Sequence, residues 1–218
     1  DRDAMAEVLE RYSDVFVNDV LATVHLLTAG AVELPKRMRH GTCGMLMEQE
    51  MLYFSKMLVN PPRPTVLVLG SVHLEEKLHL LESLIRKVDR IVLGGAVAIP
   101  FLKAKGISVG RISPLLCEDN SEKMFWSDKT TTLDRYVRKL IDHAERYNVR
   151  LVLPLDFITH TELEPTRFPS TTPVNKVPDD HMILDIGPKT IKLFTAEIRD
   201  SRTLFWSGRM GCANRDDY

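Results

Sequence analysis

Between residues 65 and 95 the chain runs through TVLVLG, HLEEKLHLLESLIRKV and RIVLGG. The first and last of these are short apolar runs, rich in β-branched residues, that close on glycine. The middle segment carries Leu74, Leu78, Leu81, Leu84, Ile85 and Val88 on one stripe. Apolar residues recurring every three or four positions describe a helix with one buried face, and a short unbroken apolar run describes a strand buried on both. Strand, helix and strand in that length make a βαβ unit with a right-handed crossover. The pattern recurs. Leu133, Tyr136, Val137, Leu140, Ile141 and Ala144 mark a helix running into a strand VRLVLPLD, and Pro188 opens a helix with Ile191, Phe194 and Ile198 that leads into the strand TLFW. The expected fold is therefore α/β, a Rossmann-like parallel sheet with helices on both faces. Residues 111–131 and 160–180, rich in Ser, Thr, Pro and Asp, read as loops.

Ahead of this region the signals are shorter. Ala6, Leu9 and Tyr12 sit near helical spacing, and Val15, Val17 and Val20 read as a strand. In GMLMEQEMLYFSKMLVN, Met47, Met51, Phe54 and Leu58 share one helix face, expected to pack between domains. Pro61, Pro62 and Pro64 then stop the helix, which places a domain boundary near residue 62. Charge narrows the partners. With 29 Lys and Arg against 30 Asp and Glu, the chain lacks the basic field that nucleic acid or an anionic membrane surface requires. No apolar run approaches the roughly 20 residues of a membrane span, and Asp1 opens no charged-then-apolar leader. Cys43, Cys117 and Cys212 share no metal-ligand spacing, and an odd count builds no disulfide framework, so a reducing intracellular compartment is expected.

In an open parallel sheet, ligands bind beyond the carboxyl ends of the strands. Three such ends carry glycine here: Leu69-Gly70, Leu93-Gly94-Gly95 and Trp206-Ser207-Gly208. Glycine lets a ligand approach the backbone, or simply makes the turn. Lys77, one turn into the helix after Gly70, could reach a phosphate, or could be a solvated helix lysine. Asp156 and Asp185 are candidate carboxylates near such a site, or turn and helix caps. His73 and His79 miss the i, i+4 spacing of a helical metal pair, and no Ser/His/Asp or Cys/His pair has the context of a nucleophile.

Taken together, DVFVND, FLKAKG, LPLDFITHTE, HMILDIGPKT and WSGRMG resemble phosphoglycerate kinase, over nearly the whole chain and in the family's order. The wording of HMILDIGPKTI is most similar to the kinetoplastid branch, whose active members are cytosolic or glycosomal. The resemblance implies two Rossmann-like domains joined by a hinge helix, and phosphoryl transfer between 1,3-bisphosphoglycerate and Mg-ADP. It assigns residues 1–44 to the substrate domain, 45–62 to the hinge helix and linker, and 63–218 to the nucleotide domain. The first part of the substrate domain and the final segment with its GGGD loop are expected to be missing.

The same resemblance exposes departures. Where the family reads TAHRAH, this chain reads TVHLLT: His25 remains, but the phosphoglycerate-binding arginine and histidine are Leu26 and Thr28. Where it reads GG(A/S)KVxxK, Gly70 and Lys77 are kept while Ser71 and His73 replace a glycine and a lysine, with Glu75 and Glu76 added. The family's GGG is Gly94-Gly95-Ala96. The small residue beside the adenosine is Ile183, expected to crowd the base. In WSGRMGCAN, Gly208, Met210 and Gly211 persist, whereas Ser207, Arg209 and Asn214 replace the asparagine, proline and ribose-binding glutamate. Two expectations follow. One is a catalytically inactive relative serving as a scaffold or assembly component with protein partners. The other is a divergent active kinase handling 3-phosphoglycerate and Mg-ADP/ATP, with protonated His73 or Arg209 replacing lost charge.

Overall fold

Consecutive prolines leave no continuous helix between the two halves of the chain. The computed structural model describes residues 1–71, 74–110, 130–162 and 169–211, and divides at this point into units Asp1–Pro61 and Pro62–Tyr218.

In the first unit, Asp1 caps helix α1 (Arg2–Glu10), its carboxylate accepting from the Asp3 N–H. Only Ala6 of α1 is buried, and the helix ends before Tyr12, which is 85% exposed rather than part of a helical face. Strand β1 (Phe16–Asn18) pairs in parallel with β2 (Gly41–Cys43). It is shorter than the valine pattern predicts because Asn18 Oδ1 accepts from the Val20 N–H, an Asx turn that ends the extended backbone. A single turn at Leu21–Thr23, a wide turn at Ala29–Glu33 and the short helix α2 (Leu34–Arg37) follow. Helix α3 (Met45–Val59) starts at Gly44, and Asp19 Oδ1 accepts from the Met47 N–H at 2.9 Å. None of its 15 residues is buried within this chain.

The second unit carries the core. Strand β3 (Thr65–Leu69), helix α4 (Leu74–Leu84), strand β4 (Arg90–Leu93) and helix α5 (Gly95–Ala104) come first. Helix α6 (Thr130–Arg146) and strand β5 (Arg150–Val152) complete this side, and after β6–β8, helix α7 (Pro188–Arg199) leads to β9 (Thr203–Ser207). The strands form a four-stranded sheet in the order β5-β4-β3-β9, parallel at every pairing. Leu74, Leu78, Leu81, Leu84, Ile85 and Val88 are all buried, as their stripe requires. All five residues of β3 are buried, as its unbroken apolar run requires.

Two segments differ from the sequence pattern. VRLVLPLD is not one strand. Pro154 has no N–H to donate, the parallel ladder stops at Val152, and Asp156 opens β6 (Asp156–His160) in a second sheet. That sheet has three antiparallel strands in the order β7-β6-β8, with β7 at Ser170–Pro173 and β8 at Met182–Ile186. Its edge strand β7 is the polar stretch STTP inside a region that reads as loop. An edge strand of this kind needs no apolar pattern, because its pairing to β6 supplies the hydrogen bonds. Of the other expected loop, residues 111–129 lie outside the described residues.

Candidate functional site

Because β3, β4 and β9 are parallel, their carboxyl ends meet at one edge. The Gly70 N–H donates to the Ser207 carbonyl at 3.0 Å, that of Gly94 to Leu69 at 2.9 Å, and that of Ala96 to Ser71 at 3.1 Å. Gly70, Lys77, Gly94, Gly95 and Gly208 are thereby assembled around three strand ends, whereas Gly211 lies against Asp185 of β8, in the second sheet. Gly208 has φ +87°, and a Cβ there would run into the carbonyl oxygen of Gly70. A Cβ at Gly70 would meet the Arg209 carbonyl, and one at Gly94 the Met210 sulfur. What approaches these glycines in this structure is the chain's own segment 208–210.

Lys77 lies in the first part of α4, and its Nζ donates to Ser207 Oγ at 2.8 Å, across the end of the sheet. Ser71 is 7% exposed, and Glu75 and Glu76 stand exposed in the first turn of α4. His73 and Asn214 lie outside the described residues, as do Cys117 and Cys212. Ile183, on β8, is 3% exposed and belongs to a cluster with Ala96, Ile99, Leu102, Val109, Phe157 and Val177. Ala96 and Ile183, two positions where larger side chains replace the family's small ones, thus fall in the same apolar cluster.

Of the two candidate carboxylates, Asp156 is a cap. It is 2% exposed and accepts from the N–H groups of Lys189 (3.0 Å) and Thr190 (2.8 Å) and from Thr190 Oγ1 (2.7 Å). Burial pushes its pKa up, but the hydrogen bonds from Thr190 and Lys189 outweigh this and leave it below the usual carboxylate range. The N-terminus of α7 is therefore filled by a side chain of its own protein. Asp185 differs. Burial pushes its pKa up, and its Oδ1 accepts the Ile186 N–H at 2.6 Å beside Gly211. Thr190, which ties Asp156 in place, carried no signal in the sequence, and neither did the bond from Lys77 to Ser207, since each joins residues more than thirty positions apart.

In the first unit, His25 and Leu26 are exposed. Thr28 is a cap: its Oγ1 accepts from the Ala31 N–H at 3.1 Å and starts the turn at Ala29. Among the described residues, no three His, Cys, Asp or Glu side chains are grouped to hold a metal ion, and no helix is long and apolar enough to cross a membrane.

Comparison with known proteins agrees with the motifs. A family model described as phosphoglycerate kinase matches residues 1–218. The cytosolic phosphoglycerate kinase of Trypanosoma congolense is 38% identical over 218 residues, all of this chain and 48% of that protein. The glycosomal enzyme of the same organism is also 38% identical, over 40% of its length. The structure of phosphoglycerate kinase from Coxiella burnetii superposes with a TM-score of 0.74 at 31% identity, covering 96% of this chain and 50% of the other. The chain therefore spans about half the length, or less, of these relatives. With the family model matched from end to end, and with relatives sharing both the sequence motifs and this α/β architecture, the chain belongs to the phosphoglycerate kinase family.

Proposed function

We propose that this chain is a phosphoglycerate-kinase-like protein with eroded substrate and nucleotide sites, catalytically inactive and retained as a scaffold or assembly component with protein partners. The observation that carries this reading is the burial of Ile183 in one apolar cluster with Ala96, Ile99 and Phe157. By family resemblance Ile183 stands where a small residue lies beside the adenosine, and here it is buried in that apolar cluster. Residues so packed do not fit a nucleotide base.

The substrate side supports the same conclusion. A charge-assisted hydrogen bond to phosphate is worth about 1.5–3 kcal/mol. Leu26 offers none, and Thr28 spends its hydroxyl oxygen on a backbone cap. Phosphoryl transfer depends on positioning and on compensating developing charge, so losses at Leu26, Thr28, His73 and Asn214 fall where they do the most damage. We assign residues 1–44 to the substrate-domain portion, 45–62 to the hinge and 63–218 to the nucleotide-domain portion. An intracellular, reducing location, cytosolic or glycosomal like that of the relatives or within a large assembly, accompanies the proposal.

One observation favours the alternative, a divergent active kinase transferring phosphoryl between 1,3-bisphosphoglycerate and ADP. Lys77 Nζ stands at the strand-end edge, where among the described residues it donates to the Ser207 hydroxyl, which a phosphate oxygen could displace. Calorimetric titration of the full-length protein with Mg-ADP and Mg-ATP, beside Ile183→Gly, separates the two. The expected result is no heat from either protein, as eroded sites require; binding recovered in Ile183→Gly alone would mean a blocked slot on an otherwise intact site and would overturn the eroded-site reading. Micromolar binding by the parent, followed by turnover in a coupled assay, would overturn the inactive reading.

A further inference from the structure

At the opposite edge of the parallel sheet, where its strands begin, Arg63, Pro64, Asp89, Arg90 and Arg150 line an open cavity of about 370 Å³. Topology brings them together. The segment entering β3 lies beside the start of β4, and Arg90 stands in register with Arg150 at the start of β5. Both carboxylates of the cluster are engaged by the protein. Asp89 Oδ2 accepts the Thr65 N–H at 2.7 Å, and its other oxygen pairs with Arg63. Glu197, on the last turn of α7, is 8% exposed and lies between Arg90 (Nε to Oε2, 3.7 Å) and Arg150 (Nη2 to Oε1, 2.6 Å).

Part of this arrangement supports the fold. Arg90 Nη1 donates to the Glu197 carbonyl at 2.9 Å, which offsets the negative end of the α7 dipole. The charges do not cancel, however: three guanidinium groups meet two carboxylates. Each guanidinium carries five N–H donors in a planar fork, and the bonds described use a minority of them. The Arg63 and Arg150 side chains remain 56% and 64% exposed, so their unused donors face solvent.

We propose that this cavity binds a small phosphate-bearing anion, held by the guanidinium forks of Arg63 and Arg150 with Arg90 behind them. Guanidinium forks match the spacing of phosphate oxygens, and the excess positive charge is satisfied when a phosphate enters. The site lies at the far end of the strands from Lys77 and does not depend on any nucleotide being bound.

The test is calorimetric titration of the full-length protein with inorganic phosphate at fixed ionic strength, with chloride as the control anion. Saturable binding is expected in the parent, about tenfold weaker in Arg150→Gln and in Arg63→Gln, and unchanged in Lys105→Gln, an exposed lysine after α5. Far-UV circular dichroism checks each variant, and Arg63→Gln, at a more peripheral pair, decides the matter if Arg150→Gln loses its fold. A parent that binds no phosphate, equal affinity in folded arginine variants, or loss confined to Lys105→Gln would each overturn the proposal. The same titration with a phosphomonoester distinguishes a free phosphate site from one for a phosphorylated metabolite, either result being consistent with the anion chemistry proposed.

Discussion

Asp156 and Asp185 are both carboxylates of the β6–β8 pair, yet their environments push them in opposite directions. Asp185 has one backbone donor against its burial, and burial wins. Asp156 collects donors from Lys189 and Thr190, and these more than offset its burial. A carboxylate whose folded-state pKa is depressed contributes stability above its ordinary, unfolded pKa, and that stability is lost as pH falls through the folded value. Asp156→Asn should therefore cost about 1–3 kcal/mol at pH 7. The gap between variant and parent should narrow as the pH drops below about 4. Urea unfolding at pH 7 and pH 3 measures it, and an equal gap at both would refute the capping role. The aspartate was legible as a candidate from its place in LPLDFITHTE, but its role was not, because the partner that decides it lies in α7.

Among the elements, the strand-end turn after β9 is the one whose geometry tolerates least change. Gly208 combines a positive φ with a Cβ position already occupied by the Gly70 carbonyl, whereas Gly106, at φ +77°, has open space around it. Both substitutions to alanine force a left-handed residue, at about 1–2 kcal/mol. Only Gly208→Ala must also move the β3 turn. Thermal unfolding should show Gly208→Ala losing at least about 2 kcal/mol more than Gly106→Ala; equal losses would mean the two turns are not packed as described. Elements with a strong period were readable in advance: α4 and α6 follow their apolar stripes, whereas in α7 only Phe194 of the expected Ile191, Phe194 and Ile198 is fully buried, Ile191 is 51% exposed, and Thr190 and Glu197 are buried instead. Strand β7 was not, because STTP owes its extended form to its partner, and neither was the break at Pro154, where one apolar run feeds two sheets.

On the scale of the whole molecule, the two units differ in how much they bury. The second holds β3, β4 and α5 almost entirely out of solvent, while the first has a two-stranded ladder of three residues per strand and a helix α3 with no buried residue. A ladder that short is marginal without further packing. Hydrogen exchange on this chain should find the slowest amides at Leu67, Val68, Ile91 and Val92 and the fastest strand amides in β1 and β2. Comparable protection in both units would contradict this ranking. By itself the sequence carried the family resemblance in its motifs, and its local spacing determined the alternation of strands and helices and the inward faces of α4 and α6. Only the tertiary structure decided that Asp156 caps α7, that Lys77 is held by Ser207, that Ile183 and Ala96 share one buried cluster, and that three arginines gather at the sheet's other edge. Each of those pairings joins residues distant in sequence, and no period in the chain encodes which side chains meet once the strands are laid side by side.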